Sequence, residues 1–433
     1  MGADHSRPAP APPRVRRLLV ATVVPLFVLT VVAALALWPR QGPEPAGGEN
    51  VPRHHGTVTR VVTEPCPPTP EAPTGAAGRC GTVTVAVEQG PDAGRQVETP
   101  IPDGPGAPRV EVGDKVILVE LTDPADPTVK TYNIAEHQRG TSLIWLVALF
   151  AAAIVAFGRW RGLAALGGLV ASFAILLGFV LPGIGAGRSP LPVAIVGAAL
   201  IMFVVLYLTH GISAQTSVAV LGTLGSLVVT GVLGTLATGA THLTGFGSED
   251  ATTLSMFQGD VDLHGLLLAG IIIGSLGVLD DVTVTQSATV TELARANPGL
   301  SRRQLYRAAT RVGRAHIAST VNTIVLAYAG ASLPLLLLLV ADSRPVGEIL
   351  TSEFLAQEIV RSAVATLGLI AAVPLTTALA AVVTTAGRRG PDADAASPPT
   401  ARPPRGPNEA LEALGGGSAA RRPGEPRSTE ATW

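Results

Sequence analysis

Charge is what this sequence is short of. Asp, Glu, Lys and Arg make up 15% of its 433 residues, against about 25% in soluble domains. Lysine is almost missing, with only Lys115 and Lys130. The net charge of -1 conceals long stretches that carry no charge at all. Such stretches exclude an ordinary water-facing surface. They match what a bilayer imposes, because a Lys or Arg at mid-membrane costs about 2.5–3.5 kcal/mol on insertion scales. Cysteine is nearly missing too. Cys66 and Cys80 are the only two, which excludes a metal cluster built from cysteines alone. Both fall in one long polar stretch. Outside the cytoplasm, a disulfide between them would close a loop of about 15 residues, worth roughly 3 kcal/mol in the chain-entropy model. Two free thiols in a Pro-rich loop are the other reading. No nucleophile elbow, Walker motif, dinucleotide fingerprint, HExxH or CxxC occurs, so the chain is not expected to be an enzyme and implies no cofactor.

What the sequence does have is apolar runs in series. Residues 1–17 are Pro/Ala-rich, are expected to be disordered, and end in Arg14, Arg16 and Arg17. The run at 18–38 is longer than a usual signal-peptide core and has no convincing small-x-small cleavage site before Trp38. It reads as an uncleaved anchor, the first transmembrane helix. Residues 39–140 are polar and rich in Pro and Gly, with alternating β-type runs at 82–87, Val110-Glu111-Val112 and 116–119. Gly113-Asp114-Lys115 reads as the tight turn between the last two. A small extracytoplasmic β-rich domain, barrel or sandwich, is expected there. The membrane domain is expected over 141–386, with spans near 142–158, 162–182, 191–209, 216–240, 264–286, 317–340 and 359–386. Each approaches the ~20 residues that cross ~30 Å of hydrocarbon. The fold class is therefore an α-helical integral membrane protein of about eight transmembrane helices.

The arginines orient those spans. Arg14, Arg16, Arg17, Arg159, Arg161, the basic segment 292–316 and Arg388-Arg389 fall on one side. Glu249, Asp250, Asp260, Asp262, Asp342, Glu348, Glu353 and Glu358 fall on the other. That places both termini in the cytoplasm of a bacterial cell membrane. Within 292–316, Asn297-Pro298-Gly299 breaks one helix and Ser301-x-x-Gln304 is a capping box that starts another. Leu305, Ala309, Val312 and His316 give that helix one apolar face, suited to the anionic leaflet. The segment has few aromatics, so nucleic acid is not an expected partner. The tail, 387–433, is expected to be disordered.

The strongest anomaly is Asp280-Asp281, inside the apolar run from Leu266 to Thr285. Asp280 lies about 14 residues, roughly 21 Å, past Leu266, in the inner third of the membrane. Buried carboxylates are expensive there unless paired, hydrated or protonated. With Thr283, Thr285 and Gln286 they suit cation coordination or proton relay. A snorkelling pair at the end of a short helix is the plainer reading. The next span offers His316, Ser319, Asn322 and Thr323; His316, Ser319 and Thr323 share one face. That face suits either a site or ordinary interhelical hydrogen bonds. His210 ends a span at the inner side and reads first as a helix-terminal cation. Gly270, Gly274, Gly277, Gly222, Gly225, Gly231 and Gly234 read as packing positions, Pro334 and Pro374 as kinks. Trp145 and Tyr207 read as interfacial anchors.

These residues carry a resemblance. Leu208-Thr209-His210-Gly211, Gly270-Ile271-Ile272-Ile273-Gly274 and Leu279-Asp280-Asp281-Val282 are three of its strings. Ala296-Asn297-Pro298 and Leu300-Ser301-Arg302-Arg303-Gln304-Leu305-Tyr306-Arg307 continue it. It is densest from His316-Ile317-Ala318-Ser319-Thr320-Val321-Asn322-Thr323 to Ala327-Tyr328-Ala329-Gly330-Ala331-Ser332-Leu333-Pro334, and Ala372-Val373-Pro374-Leu375 fits too. From about 140 to 385 the chain resembles the YibE/F-like family of bacterial multi-span membrane proteins. The family pattern has an acidic residue before this His, where the chain has Ala315. The resemblance implies a multi-pass membrane protein and no particular activity. Two functions follow as expectations. One is transport or conduction of a small ion or solute near the sixth and seventh spans. The other is a non-transporting scaffold or envelope-stress component binding a protein partner through the extracytoplasmic domain. The bilayer is a partner in either case; the ion, any metal and the oligomeric state stay open.

Overall fold

The structure is a computed structural model that describes residues 12–40, 51–64, 80–103, 106–122, 130–257, 261–341 and 345–386. Residues 1–11, the expected tail at 387–433 and Cys66 lie outside these. Cys80 is disulfide-bonded.

After helix α1 (Pro13–Leu37) come five strands: β1 (Arg53–Glu64), β2 (Cys80–Val87), β3 (Gln96–Pro100), β4 (Lys115–Thr122) and β5 (Lys130–His137). They form one sheet in the order β3-β2-β1-β4-β5, every pairing antiparallel. The fourth strand returns beside the first, which makes β1 to β4 a Greek key. β3 also approaches β5, so the sheet curls towards a barrel. Period-two alternation sends Val83, Val85 and Val87 inward against Val58, Leu118 and Ile134. The turn at Gly113 forms, with φ +96°, but Val110–Val112 is not a strand. The Asp114 carboxylate instead accepts the Glu111 N–H at 2.8 Å. Gly113 N–H and the Asp114 carbonyl pair with Val58 of β1. Bonds to a third strand thus replace the expected hairpin.

Charges are built into this small domain. Glu120, 6% exposed, accepts from Lys130 at 2.8 Å and meets His54 Nε2 at 2.9 Å. Beside them, Tyr132 donates to Asp92 at 2.5 Å, and Arg95 donates to Asp92 at 2.6 Å.

Among the described residues, six helical units are long and apolar enough to cross a membrane. Four are α1, α4 (Pro190–His210), α5 (Ala214–Ala240) and α7 (Leu263–Ala296). A fifth is α11 (Glu353–Ala386). The sixth is the 46-residue run Gly140–Gly185, made of α2 (Gly140–Ile175), a π-helical turn at Leu176–Val180 and α3 (Leu181–Gly185). Straight, it would measure about 69 Å, more than twice the ~30 Å hydrocarbon. It is not straight. Arg159 takes φ 52°, ψ -127°, and Gly162 packs against the backbone of Ile154 and Val155. A continuous helix would hold residues eight apart at about 12 Å. The run therefore folds back at Arg159, between the two spans expected there.

The expected span at 317–340 is divided. α8 (Arg302–Ala331) starts at the Ser301–Gln304 capping box, and α9 (Leu333–Ala341) follows a break at Ser332. The basic segment 292–316 is thus not a separate surface helix: it takes in the end of α7, the break at 297–301 and the first half of α8. The packed face of that half is Leu305, Ala309 and Gly313, whereas Val312 is 49% exposed. Gly313 decides this: a Cβ there would stand 2.6 Å from Val373 and 2.7 Å from Gln286, so only glycine admits both neighbours. Two further short helices lie among the described residues, α6 (Glu249–Phe257) and α10 (Val346–Leu350). Glu353 ties the start of α11 to the loop after α5, accepting the N–H groups of Thr244 at 2.7 Å and Gly245 at 3.0 Å.

The bundle centres on α5, α7 and α11. α5 and α11 cross through two matching contacts: Gly222 against Thr376, and Gly368 against Thr230, each leaving no room for a Cβ. The residue numbers of each pair have the same sum, as an antiparallel crossing requires. Of the other expected packing glycines, Gly231, Gly234 and Gly274 also meet facing side chains, those of Ile272, Leu268 and Tyr328. Gly225, Gly270 and Gly277 have nothing within 4 Å of an added Cβ, because they face away from the bundle. Pro374 sits inside an α11 that runs through it.

The β-rich domain should be acid-sensitive. Hydrogen bonding from Lys130, and secondarily from His54, holds Glu120 below the ordinary carboxylate range. A lowered folded value means the stabilisation is present above pH ~4.5 and lost as pH falls below it. Amide exchange of β1 and β4, expressed as protection factors of the full chain, should fall below pH 4.5. Glu120→Gln should lower protection at pH 7 by about 1.5–3 kcal/mol, the worth of a charged hydrogen bond, and flatten that acid dependence. Unchanged protection in the variant would contradict this role.

Candidate functional site

α7 is the helix against which the candidate residues are measured. Pro190 at the start of α4 lies beside Gly265, so α4 and α7 run parallel in register. On the other side, Gln286 meets Gly313 and Ala309, while a Cβ at Gly274 would come 3.3 Å from the Tyr328 hydroxyl. These contacts make α7 and α8 antiparallel. Asp280 stands midway between Gly274 and Gln286. It is therefore level with the residues around Thr320, midway between Gly313 and Tyr328.

Adjacent helical residues point about 100° apart, and the two carboxylates are divided accordingly. Asp280 is half-buried, and its Oδ1 is enclosed without a hydrogen bond. Asp281 is exposed and lies within electrostatic range of His210, as does Arg161. His210 Nδ1 also meets the Thr209 hydroxyl at 2.8 Å. Thr285 is exposed, in line with Asp281. Gln286 is 3% exposed and its amide donates to the Ala309 carbonyl at 2.9 Å and the Thr377 hydroxyl at 2.7 Å. It therefore joins α7 to both α8 and α11.

On α8 only part of the expected face turns inward. His316 is half-buried with an enclosed, unpartnered Nε2. Ser319, Asn322 and Thr323 are exposed, and Thr323 donates to its own Ser319 carbonyl. The bundle instead meets Ile317, Val321, Ile324 and Tyr328, with Thr320 half-buried among these positions. The packed stripe repeats at three and four residues, and Ser319, Asn322 and Thr323 lie off it.

Sequence reading missed the denser polar seam, which lies between α5, α7 and α11. Thr223, Ser226, Thr230, Thr283, Thr376 and Thr377 are all fully buried. Thr223 and Thr283 share a 2.6 Å hydroxyl–hydroxyl bond across α5 and α7. Most of these hydroxyls also bond the carbonyl four residues back, as Ser226, Thr230 and Thr377 do. The Thr376 hydroxyl is enclosed without a partner. A signal existed: Thr216, Thr223 and Thr230 recur every seven residues, which sets hydroxyls along one helix face. On α4, the Tyr207 hydroxyl meets that of Ser217 on α5 at 3.1 Å. Trp145 is exposed.

Among the described residues no three His, Cys, Asp or Glu side chains gather as a metal site. What the arrangement offers is one half-buried carboxylate with an unpartnered oxygen, on a helix able to cross a membrane.

The family model described as YibE/F-like protein matches residues 146–386. With the apolar helices, this marks a membrane protein. Comparisons with curated proteins and with solved structures give no match.

Replacing Gln286 tests how far the seam holds the bundle together. Gln286→Leu removes the side-chain bonds to the Ala309 carbonyl and to the Thr377 hydroxyl. The loss should be about 0.6–1.7 kcal/mol, the range of interhelical hydrogen bonds in membranes. It would be read as a lower melting temperature of the purified protein in detergent. An unshifted melt would show that Gln286 is not a tie.

Proposed function

The chain belongs to the YibE/F-like protein family, and from that premise we propose that it carries a small ion or solute across the membrane past Asp280. One observation supports this reading: a carboxylate of α7 is enclosed, with an oxygen that makes no hydrogen bond. Helix packing gains nothing from such a group. It costs several kcal/mol unless a cation, a proton or a dipole compensates it. Cation binding and proton uptake are the two chemistries that supply compensation transiently. The hydroxyls of Thr223 and Thr283 are hard oxygen donors of the kind small cations take. His316 Nε2 is able to exchange protons.

The pathway reading rests on eight crossings with both ends on one side. In it Gly140–Gly185 crosses twice, turning at Arg159, and α8 with α9 supplies a further crossing. Arg14, Arg16, Arg17, Arg161 and Arg295 then share a face, in keeping with the positive-inside rule. Single cysteines introduced after Cys66 and Cys80 are changed to Ser test this. Trp160→Cys and Ile212→Cys should both react with a membrane-impermeant thiol reagent from the cytoplasmic side, and Glu249→Cys from the opposite side. Unreactive Trp160→Cys from both sides would mean that the long run crosses only once.

Flux into proteoliposomes tests the site, with protons followed by a pH-sensitive dye and a panel of monovalent and divalent cations. Asp280→Asn should lower the conducted flux at least tenfold. Asp281→Asn, on the outer side of α7, should lower it less. Wild-type flux through Asp280→Asn would end the proposal.

A further inference from the structure

A cavity of about 1070 Å³ lies away from Asp280, between α1, α4, α5, α7 and α11. Its wall is mostly apolar. Leu19, Val20, Val24 and Phe27 line it from α1, and Phe203 faces them from α4. Phe27 and Phe203 meet edge to face, with ring centroids 5.3 Å apart, and close its deep end. The other end is basic and polar. Arg16 and Arg295 stand there with Ser287 and Thr291. Arg295 is held by Glu292 at 2.7 Å, whereas Arg16 has no ion-pair partner among the described residues.

The dimensions suit one leaflet. From Arg16 to Phe27 is eleven residues of helix, about 16 Å, roughly half of a ~30 Å hydrocarbon core. The cavity also opens sideways, since Val20 and Val24 remain about half exposed (51% and 49%) although they line it. An occupant would therefore have an apolar body about one leaflet deep and an anionic head at the basic end. Basic pockets between helices are where anionic head groups bind.

We propose that this cavity is a binding site for an anionic phospholipid, its acyl chains along α1 and α4 and its phosphate at Arg16. Asp280 is not part of this site. A lipid seated here would brace α1 against the ends of α5, α7 and α11.

The test uses the full chain purified in mild detergent and native mass spectrometry. Phosphatidylglycerol, phosphatidylcholine and glycerol 3-phosphate are added separately. Wild type should retain one phosphatidylglycerol at least fivefold more than phosphatidylcholine, and no glycerol 3-phosphate. Arg16→Gln should bring phosphatidylglycerol down to the phosphatidylcholine level. Val20→Trp, which fills the cavity from an exposed position, should reduce retention of phosphatidylglycerol at least fivefold without shifting the melting temperature. Equal retention of the two lipids by wild type, or undiminished retention in Val20→Trp, would overturn the site. Retention of glycerol 3-phosphate equal to that of the lipid would show an anion site with no acyl cavity, which also overturns it. Should Arg16→Gln fail to fold, Val20→Trp and the wild-type comparison still decide.

Discussion

The close crossing of α5 and α11 is the contact on which the rest of the bundle depends. Inside a membrane, lipid tails are as apolar as leucine, so burial alone does not hold helices together. Close backbone approach does, through dispersion and short polar contacts. Gly222 against Thr376 and Gly368 against Thr230 bring it about twice along one crossing. In both pairs the threonine hydroxyl oxygen is the atom nearest the facing glycine; that of Thr230 also bonds back to the Ser226 carbonyl, whereas that of Thr376 is enclosed without a partner. α7 packs against both helices, and the Thr223–Thr283 and Gln286–Thr377 bonds fix its rotation.

That rotation decides what the two carboxylates do. With Leu279, Val282 and Gln286 turned inward, Asp280 is carried to the edge of the packed face and Asp281 to the open side. A one-residue slip of α7 that put Asp281 in the place of Asp280 would drive Asp280 into the buried place of Leu279. The Gln286 ties to α8 and α11 therefore act as a rotational lock on Asp280, although they are almost two turns away. Asp281, on the exposed side, is solvated more readily. The same dipeptide thus holds one costly group and one ordinary one.

Much of this was legible in the sequence, and the exceptions have physical reasons. The apolar runs, the Ser301 capping box and the break at Arg159 are local signals, each written in adjacent residues. The β-rich domain's alternating valines were legible for the same reason. Val110–Val112 misled because its turn bonds to β1, a strand more than 50 residues earlier. The glycines misled because composition does not say which way a helix faces. Gly222 and Gly270 look alike in sequence, and only the first meets a partner. Ser319, Asn322 and Thr323 failed as an inward face for a related reason. The packed stripe of α8 is set by Ala309 and Gly313 seating on α7 and α11, which a hydropathy reading of one helix does not contain. The seam was overlooked because threonine in an apolar run reads as a tolerated interruption, although its seven-residue recurrence on α5 marked a face.

α7 brings the seam and the basic-ended cavity into one argument. Gln286 and Ser287 are consecutive residues of α7. Gln286 bonds into the seam through Thr377, while Ser287 lines the cavity and donates to the Gln215 carbonyl of α5 at 2.9 Å. Any rotation or shift of α7 that moves Asp280 must also move Ser287 and Thr291 against whatever fills the cavity. Packed helices have discrete arrangements and do not deform continuously. A cavity occupant therefore influences Asp280 only so far as it binds one arrangement of α7 more tightly than another. The geometry supplies the mechanical link. The strength of the coupling is then the difference between two affinities, measured at one end of a single helix and felt at its middle.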